Sequence, residues 1–178
     1  SGFVVFPGGF GTLDEAFETL TLVQTGKAQP APIVLLDVPG GTYWTRWLEF
    51  VQAELLDRGY LSPTDLDLVM ITDDVAAAVD ECTRFYANYH SMRFVEGELV
   101  LRVHRAPDDE QLEALNDRFA RIVTKGKMER VGPSKVEIKD KDFPELERVR
   151  VCLDRGHWGR VRELIDAFLG HVREGEGA

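Results

Sequence analysis

Apolar positions in the first half of the chain alternate between short continuous runs and helix-spaced stripes. Phe3-Val4-Val5-Phe6 is a short apolar run, and Leu13, Ala16, Phe17, Leu20 and Val23 follow it at the 3.6-residue period of one helix face. This spacing predicts a helix over 12–25 with Thr12 at its N-cap and a glycine stop at Thr25-Gly26. The segment 33–38 is apolar but for Asp37, as expected of a strand buried on both faces of a parallel sheet. Pro39-Gly40-Gly41 breaks it, and Trp44, Trp47, Leu48, Val51 and Leu55 then mark one face of a second helix. A third strand is predicted over Leu68–Thr72. Asp73 or Asp74 then caps a helix with Val75, Ala78, Val79, Cys82 and Tyr86 inward. The β-α-β-α-β-α rhythm predicts a parallel sheet with right-handed crossovers.

The second half has a different rhythm. Glu98–Val103 reads as a strand, and Asp108–Val123 as a helix with Leu112, Leu115, Phe119 and Ile122 on one face. Val131–Ile138 reads as a short strand interrupted by Gly132-Pro133, and Val149–Leu153 as another. The last helix is expected over Trp158–Val172, with a frayed polar tail over Arg173–Ala178. This β-α-β-β-α pattern predicts a small α+β module on an antiparallel sheet. The fold class is therefore α/β with a Rossmann-like parallel sheet over residues 1–90, followed by an α+β module over 91–178.

Charge sharpens the division. Residues 1–90 carry 13 acidic and 4 basic side chains, whereas 91–178 carry 18 and 17, out of a net −10. An acidic front half without a basic stripe excludes a nucleic-acid polymer as partner. A mononucleotide is different, because backbone amides can hold one phosphate locally. Neither a membrane-length apolar run nor a signal-peptide pattern is present, and the two cysteines, Cys82 and Cys152, lie far apart. A reduced, cytoplasmic location is expected, with no structural zinc. Arg102, His104 and Arg105 could form an anion site on the first strand of the module. Their alternation favours a solvated face instead, and His157 reads as a surface residue.

Between the first strand and the first helix lies Pro7-Gly8-Gly9-Phe10-Gly11-Thr12-Leu13-Asp14-Glu15. Three glycines keep side chains away from the backbone and permit positive φ. The first turn of the helix adds unpaired N–H groups and the positive end of the macrodipole. Together they make a phosphate cradle. Two plainer readings stand beside it: Thr12-x-x-Glu15 is also a capping box, and glycine serves tight turns without any ligand. The run is neither a Walker loop nor a Gly-x-Gly-x-x-Gly fingerprint.

The same nine residues resemble the PGGxGTxxE signature of the LOG ("Lonely Guy") family. These phosphoribohydrolases act on cytokinin riboside 5′-monophosphates and related nucleotides, and many carry an older label, lysine decarboxylase. The likeness continues through Gln24-Thr25-Gly26-Lys27, the strand at 32–38, the aromatic helix after it and Gly59-Tyr60-Leu61-Ser62-Pro63, covering about residues 1–88. A pyridoxal enzyme needs a Schiff-base lysine, and Lys27 is the only lysine before Lys125.

The resemblance implies hydrolysis of the N-glycosidic bond of a nucleoside 5′-monophosphate. Gly8, Gly9, Gly11 and Thr12 would hold the phosphate, and Glu15 would be catalytic, without metal or cofactor. It also implies a homodimer, for which Tyr43, Trp44 and Trp47 offer aromatic surface, although core packing is the commoner role of the two tryptophans. In the family a catalytic arginine in an Arg-Lys motif precedes the glycine signature. Only six residues precede it here, so the chain is expected to be the C-terminal portion of a longer protein. Two rival readings are a non-catalytic carrier of a phosphorylated nucleotide or pterin-type cofactor, and a structural half whose chemistry lies upstream.

Overall fold

The computed structural model describes residues 2–95, 97–153 and 159–174, the last five in backbone alone. His157 and the end of the tail, with Trp158, lie outside the described residues. Contacts divide the chain into two compact units, Ser1–Arg84 with Trp158–Glu163, and Phe85–His157 with Leu164–Ala178.

The first unit is α/β. Strands β1 (Phe3–Val5), β2 (Ile33–Leu36) and β3 (Val69–Thr72) form a parallel sheet in the order β1-β2-β3. Helices α1 (Phe10–Gln24) and α2 (Tyr43–Val51) provide the crossovers that parallel pairing requires. A third helix, α3 (Val75–Phe85), follows β3. All four residues of β2 are buried, so the continuous apolar run is a central strand covered on both faces. Leu35, Trp44, Trp47 and Val51 make one core cluster, and Val34, Leu36 and Ala78 another. Trp44 and Trp47 meet edge to face at 6.0 Å between centroids. They are core residues and offer no surface for a partner, which corrects that part of the sequence reading. Gly26 takes φ 68° immediately beyond α1, as a helix stop requires.

The second unit is an antiparallel sheet in the order β4-β5-β7-β6, formed by Tyr89–Val95, Glu98–Val103, Glu147–Leu153 and Val123–Arg130 respectively. Helices α4 (Asp109–Phe119), α5 (Lys135–Asp140) and α6 (Gly159–Glu174) complete the chain. Three expectations fail here. Strands β4 and β6 were not anticipated, because their polar and apolar positions do not alternate cleanly, and the helix read over 108–123 ends at Phe119. The segment 131–138 is not a strand: Ser134 caps α5 by accepting from Glu137 N at 3.3 Å, while Glu137 Oε2 accepts from Ser134 N at 2.8 Å.

Arg102 is likewise neither solvated nor open to an anion. It is 4% exposed and donates to Glu137 Oε1 through Nη2 at 2.7 Å and Nε at 3.1 Å. Arg148, still more deeply buried, donates Nε to the same oxygen at 3.3 Å. Burial opposes ionisation of Glu137. The Ser134 amide and the Arg102 guanidinium outweigh it, and the pKa falls to about 2 from the usual 4.5. His104 and Arg105 remain exposed.

Glu137 should make the second unit acid-sensitive. A depressed folded pKa contributes stability that is complete above about pH 4.5 and is lost as pH falls towards 2. Urea unfolding between pH 2 and 7 should show a fall on the order of 2–3 kcal/mol from this group. Glu137→Gln should flatten that slope, and Glu137→Ala should cost about 3 kcal/mol at pH 7 by taking their shared carboxylate from two buried arginines, Arg102 keeping Asp142 and Arg148 its backbone carbonyls. An unchanged slope in Glu137→Gln would refute the assignment.

Candidate functional site

Ligands of open α/β sheets bind outside the carboxyl ends of the strands. In the first unit those ends lead into residues 6–9, 37–42 and 73–74. Helix α1 begins at Phe10, with Gly9 as N-cap in an extended conformation and no side-chain cap. Thr12 is therefore inside the first turn, not at the cap. Its N–H donates to Gly9 O at 3.1 Å, and that of Leu13 to the same oxygen at 3.2 Å. The capping-box reading of Thr12 and Glu15 falls with this.

The three glycines serve different ends. A Cβ on Gly8 would stand 2.1 Å from Thr12 Oγ1 and 2.9 Å from Thr12 Cβ, so Gly8 is dictated by close packing on Thr12. At Gly9 and Gly11 a Cβ would meet nothing within 4 Å. None of the three has positive φ, so the expected left-handed backbone is not the reason for them. The absent side chains at 9 and 11 leave the backbone open to approach.

Hydrogen-bond accounting shows what that backbone presents. Among the described residues, no acceptor meets the amides of Gly8, Gly9, Phe10 or Gly11. The neighbouring carbonyls are occupied: Gly9 O by Thr12 and Leu13, and Gly8 O by the Tyr43 hydroxyl at 2.7 Å. The loop thus offers donors, at the positive end of α1. Glu15 is exposed on α1, three residues after Thr12 and four after Gly11, hence on the same helix face. Among the described residues it forms no hydrogen bond or ion pair.

The second loop is tied to the first through Tyr43, and the third to the second through Asp73. Asp37, at the end of β2 and 8% exposed, accepts from Val38 N at 2.8 Å, Tyr43 N at 2.8 Å and Trp44 N at 3.3 Å. Asp73 Oδ2 accepts from Gly40 N at 2.9 Å. Gly8, Gly9, Gly11 and Thr12 are thus brought together, with Glu15 one turn away. Tyr43, Asp37 and Asp73 were missed as parts of this rim. The one signal for Asp37 is a lone carboxylate closing a continuous apolar run.

Residues 1–82 match the family model described as "Possible lysine decarboxylase". A Mycobacterium tuberculosis protein named cytokinin riboside 5′-monophosphate phosphoribohydrolase is 41% identical over 81 residues, 45% of this chain and 41% of that protein. A namesake from Arabidopsis thaliana is 35% identical over 68 residues, 38% and 30% of the two chains. A probable one from Oryza sativa subsp. japonica is 31% identical over 88 residues, 49% and 39%. Over residues 1–82 the chain is similar to proteins of the LOG family. The matched segment holds the whole glycine loop, α1, and the Asp37 and Asp73 braces, and the chain spans well under half the length of these relatives. No helix among the described residues is long and apolar enough to cross a membrane.

Alanine at the two glycine sites should separate packing from openness. Gly8→Ala should lose about 1–3 kcal/mol through overpacking on Thr12. Gly11→Ala, helical and unobstructed, should be neutral or gain up to about 1 kcal/mol. Urea midpoints of the two variants give the comparison, and equal losses would contradict the geometry.

Proposed function

We propose that this chain supplies the phosphate-holding and carboxylate parts of a nucleoside 5′-monophosphate phosphoribohydrolase. The observation that carries the reading is the run of unpartnered amides at Gly8–Gly11, beside two glycines whose missing side chains nothing else in the first unit explains. The curated relatives' names supply the substrate class. Residues 1–90 are assigned as the C-terminal half of the LOG-type Rossmann-like domain, and 91–178 as an accessory module.

In this scheme Gly8, Gly9 and Gly11 donate backbone N–H groups to the 5′-phosphate, and Thr12 adds its hydroxyl, its own amide being used within the helix. Glu15 lies about 6 Å further along α1 by the helical rise, a span of the order of the ribose itself. Separation matters, because a carboxylate against the phosphate would be repelled. Water adds to C1′, the C1′–N bond breaks, and a proton from water ends on the departing base. The products are free base and ribose 5-phosphate. Cleavage develops positive charge at the sugar, which the Glu15 carboxylate stabilises without forming a bond to it.

The implied arginine of the Arg-Lys motif is not among residues 1–6, so the activity is assigned to the whole protein. The proposed homodimer would draw on exposed Phe10, Phe17, Leu22 and Phe50 rather than on the buried tryptophans. A cytoplasmic location completes the reading, supported by the two unpaired cysteines.

Glu15→Gln is the direct test, since no fold contact depends on the carboxylate. Ribose 5-phosphate release from AMP by the full-length protein should fall roughly a hundredfold or more in kcat, the scale of preorganised electrostatic groups. KM should change much less, because the interaction is made mainly in the transition state. Equal turnover by wild type and variant would remove Glu15 from the chemistry, and binding of AMP without turnover by either would favour the carrier reading.

A further inference from the structure

We propose that Tyr43 is a positioning residue for this site, holding the glycine loop so that it shows donors and hides an acceptor. The inference rests on the phosphate-binding reading given above. Its starting point is the chemistry of the loop's other half. Every peptide that offers an N–H to an anion also carries a carbonyl, and a carbonyl oxygen facing a phosphate is repulsive. Gly9 O is removed from the site by α1 itself, through the amides of Thr12 and Leu13. Gly8 O belongs to no helix or strand, so the helix cannot remove it. The Tyr43 hydroxyl does so, donating to it at 2.7 Å across 35 residues of sequence.

The phenol can act in this way because its backbone is fixed. Asp37 Oδ2 accepts from the Tyr43 amide at 2.8 Å and from the Trp44 amide at 3.3 Å, which anchors the first turn of α2 to the end of β2. Trp44 is fully buried, and its ring meets that of Tyr43 edge to face at 4.8 Å. Gly41 completes the arrangement, since a Cβ there would lie 2.2 Å from Asp37 Oδ1. One end of Tyr43 is thus tied to the core and the other to the loop. Removing the hydroxyl leaves the ring and the tie to Asp37 in place and frees the Gly8 carbonyl. The loop can then rotate that oxygen towards the site, and peptide rotation turns the following amide, Gly9 N–H, away from it.

Tyr43→Phe in the full-length protein is the experiment, read by calorimetry with AMP, adenosine and inorganic phosphate, and by amide chemical shifts of Gly9, Phe10 and Gly11. Wild type should show these amides shifting on addition of AMP or phosphate. The variant should bind both roughly three- to tenfold more weakly, the scale of one hydrogen bond, with adenosine affinity unchanged. In turnover KM should rise by a similar factor and kcat should hold. Unchanged affinity for phosphate and AMP overturns the role of Tyr43 while leaving the loop as the binding site. Equal weakening of AMP and adenosine overturns it too, because the effect is then general loosening. If the wild-type loop amides do not respond to AMP or phosphate, the phosphate-binding reading fails and this inference with it.

Discussion

Asp37 ends the buried strand β2 as a carboxylate only 8% exposed, and the surrounding backbone is shaped by the need to satisfy that charge. A buried ionised group is tolerated only when its lone pairs are filled. Here the chain turns back within seven residues to bring three amides to it, at Val38, Tyr43 and Trp44. The turn sets where α2 starts. That start places Trp44 in the core and Tyr43 over the glycine loop. The Asp37 amide itself reaches Thr72 O on β3 at 2.9 Å, so the same residue ties the carboxyl ends of two strands together.

The second unit meets the same constraint with side chains instead of backbone. Glu137 gathers Arg102 and Arg148 in the interior, and Arg148 Nη2 also donates to Phe143 O at 2.8 Å. The chain passes through left-handed φ at Lys141 (55°) and Phe143 (49°) on the way. Such conformations cost energy in residues with a Cβ and persist where their surroundings hold them. A guanidinium held by Glu137 and bonded to the carbonyl of the second of them is such a hold.

The parts of this architecture that follow local rules were legible in the sequence. The three parallel strands and their helices follow from apolar runs and 3.6-residue stripes, although Val75 and Val79 of α3, read as inward, are exposed, and Gly26 was readable as a helix stop. The glycine loop was readable as a donor-rich turn. The start of α1 was misread by two residues because Thr12, a good capping residue, is used instead to pack on Gly8. The parts that depend on distant pairing were not legible. Arg102 and Glu137 are 35 residues apart, and nothing in either segment announces the other. Tyr43 and Gly8 are equally far apart, and an aromatic residue beside two tryptophans reads as core before it reads as a tether. Strand β4 escaped because Ser91 and Arg93 interrupt its apolar positions.

The two sheets end differently at their outer strands. β6 carries Lys125 and Lys127, both exposed, and charge of this kind discourages another strand from pairing there. β1, at the edge of the parallel sheet, shows Phe3 and Val4 each 41% exposed and carries no charged side chain. An uncharged apolar edge is a template for strand addition, whatever chain the added strand comes from. During expression and purification, self-association of this polypeptide should therefore begin at the parallel sheet.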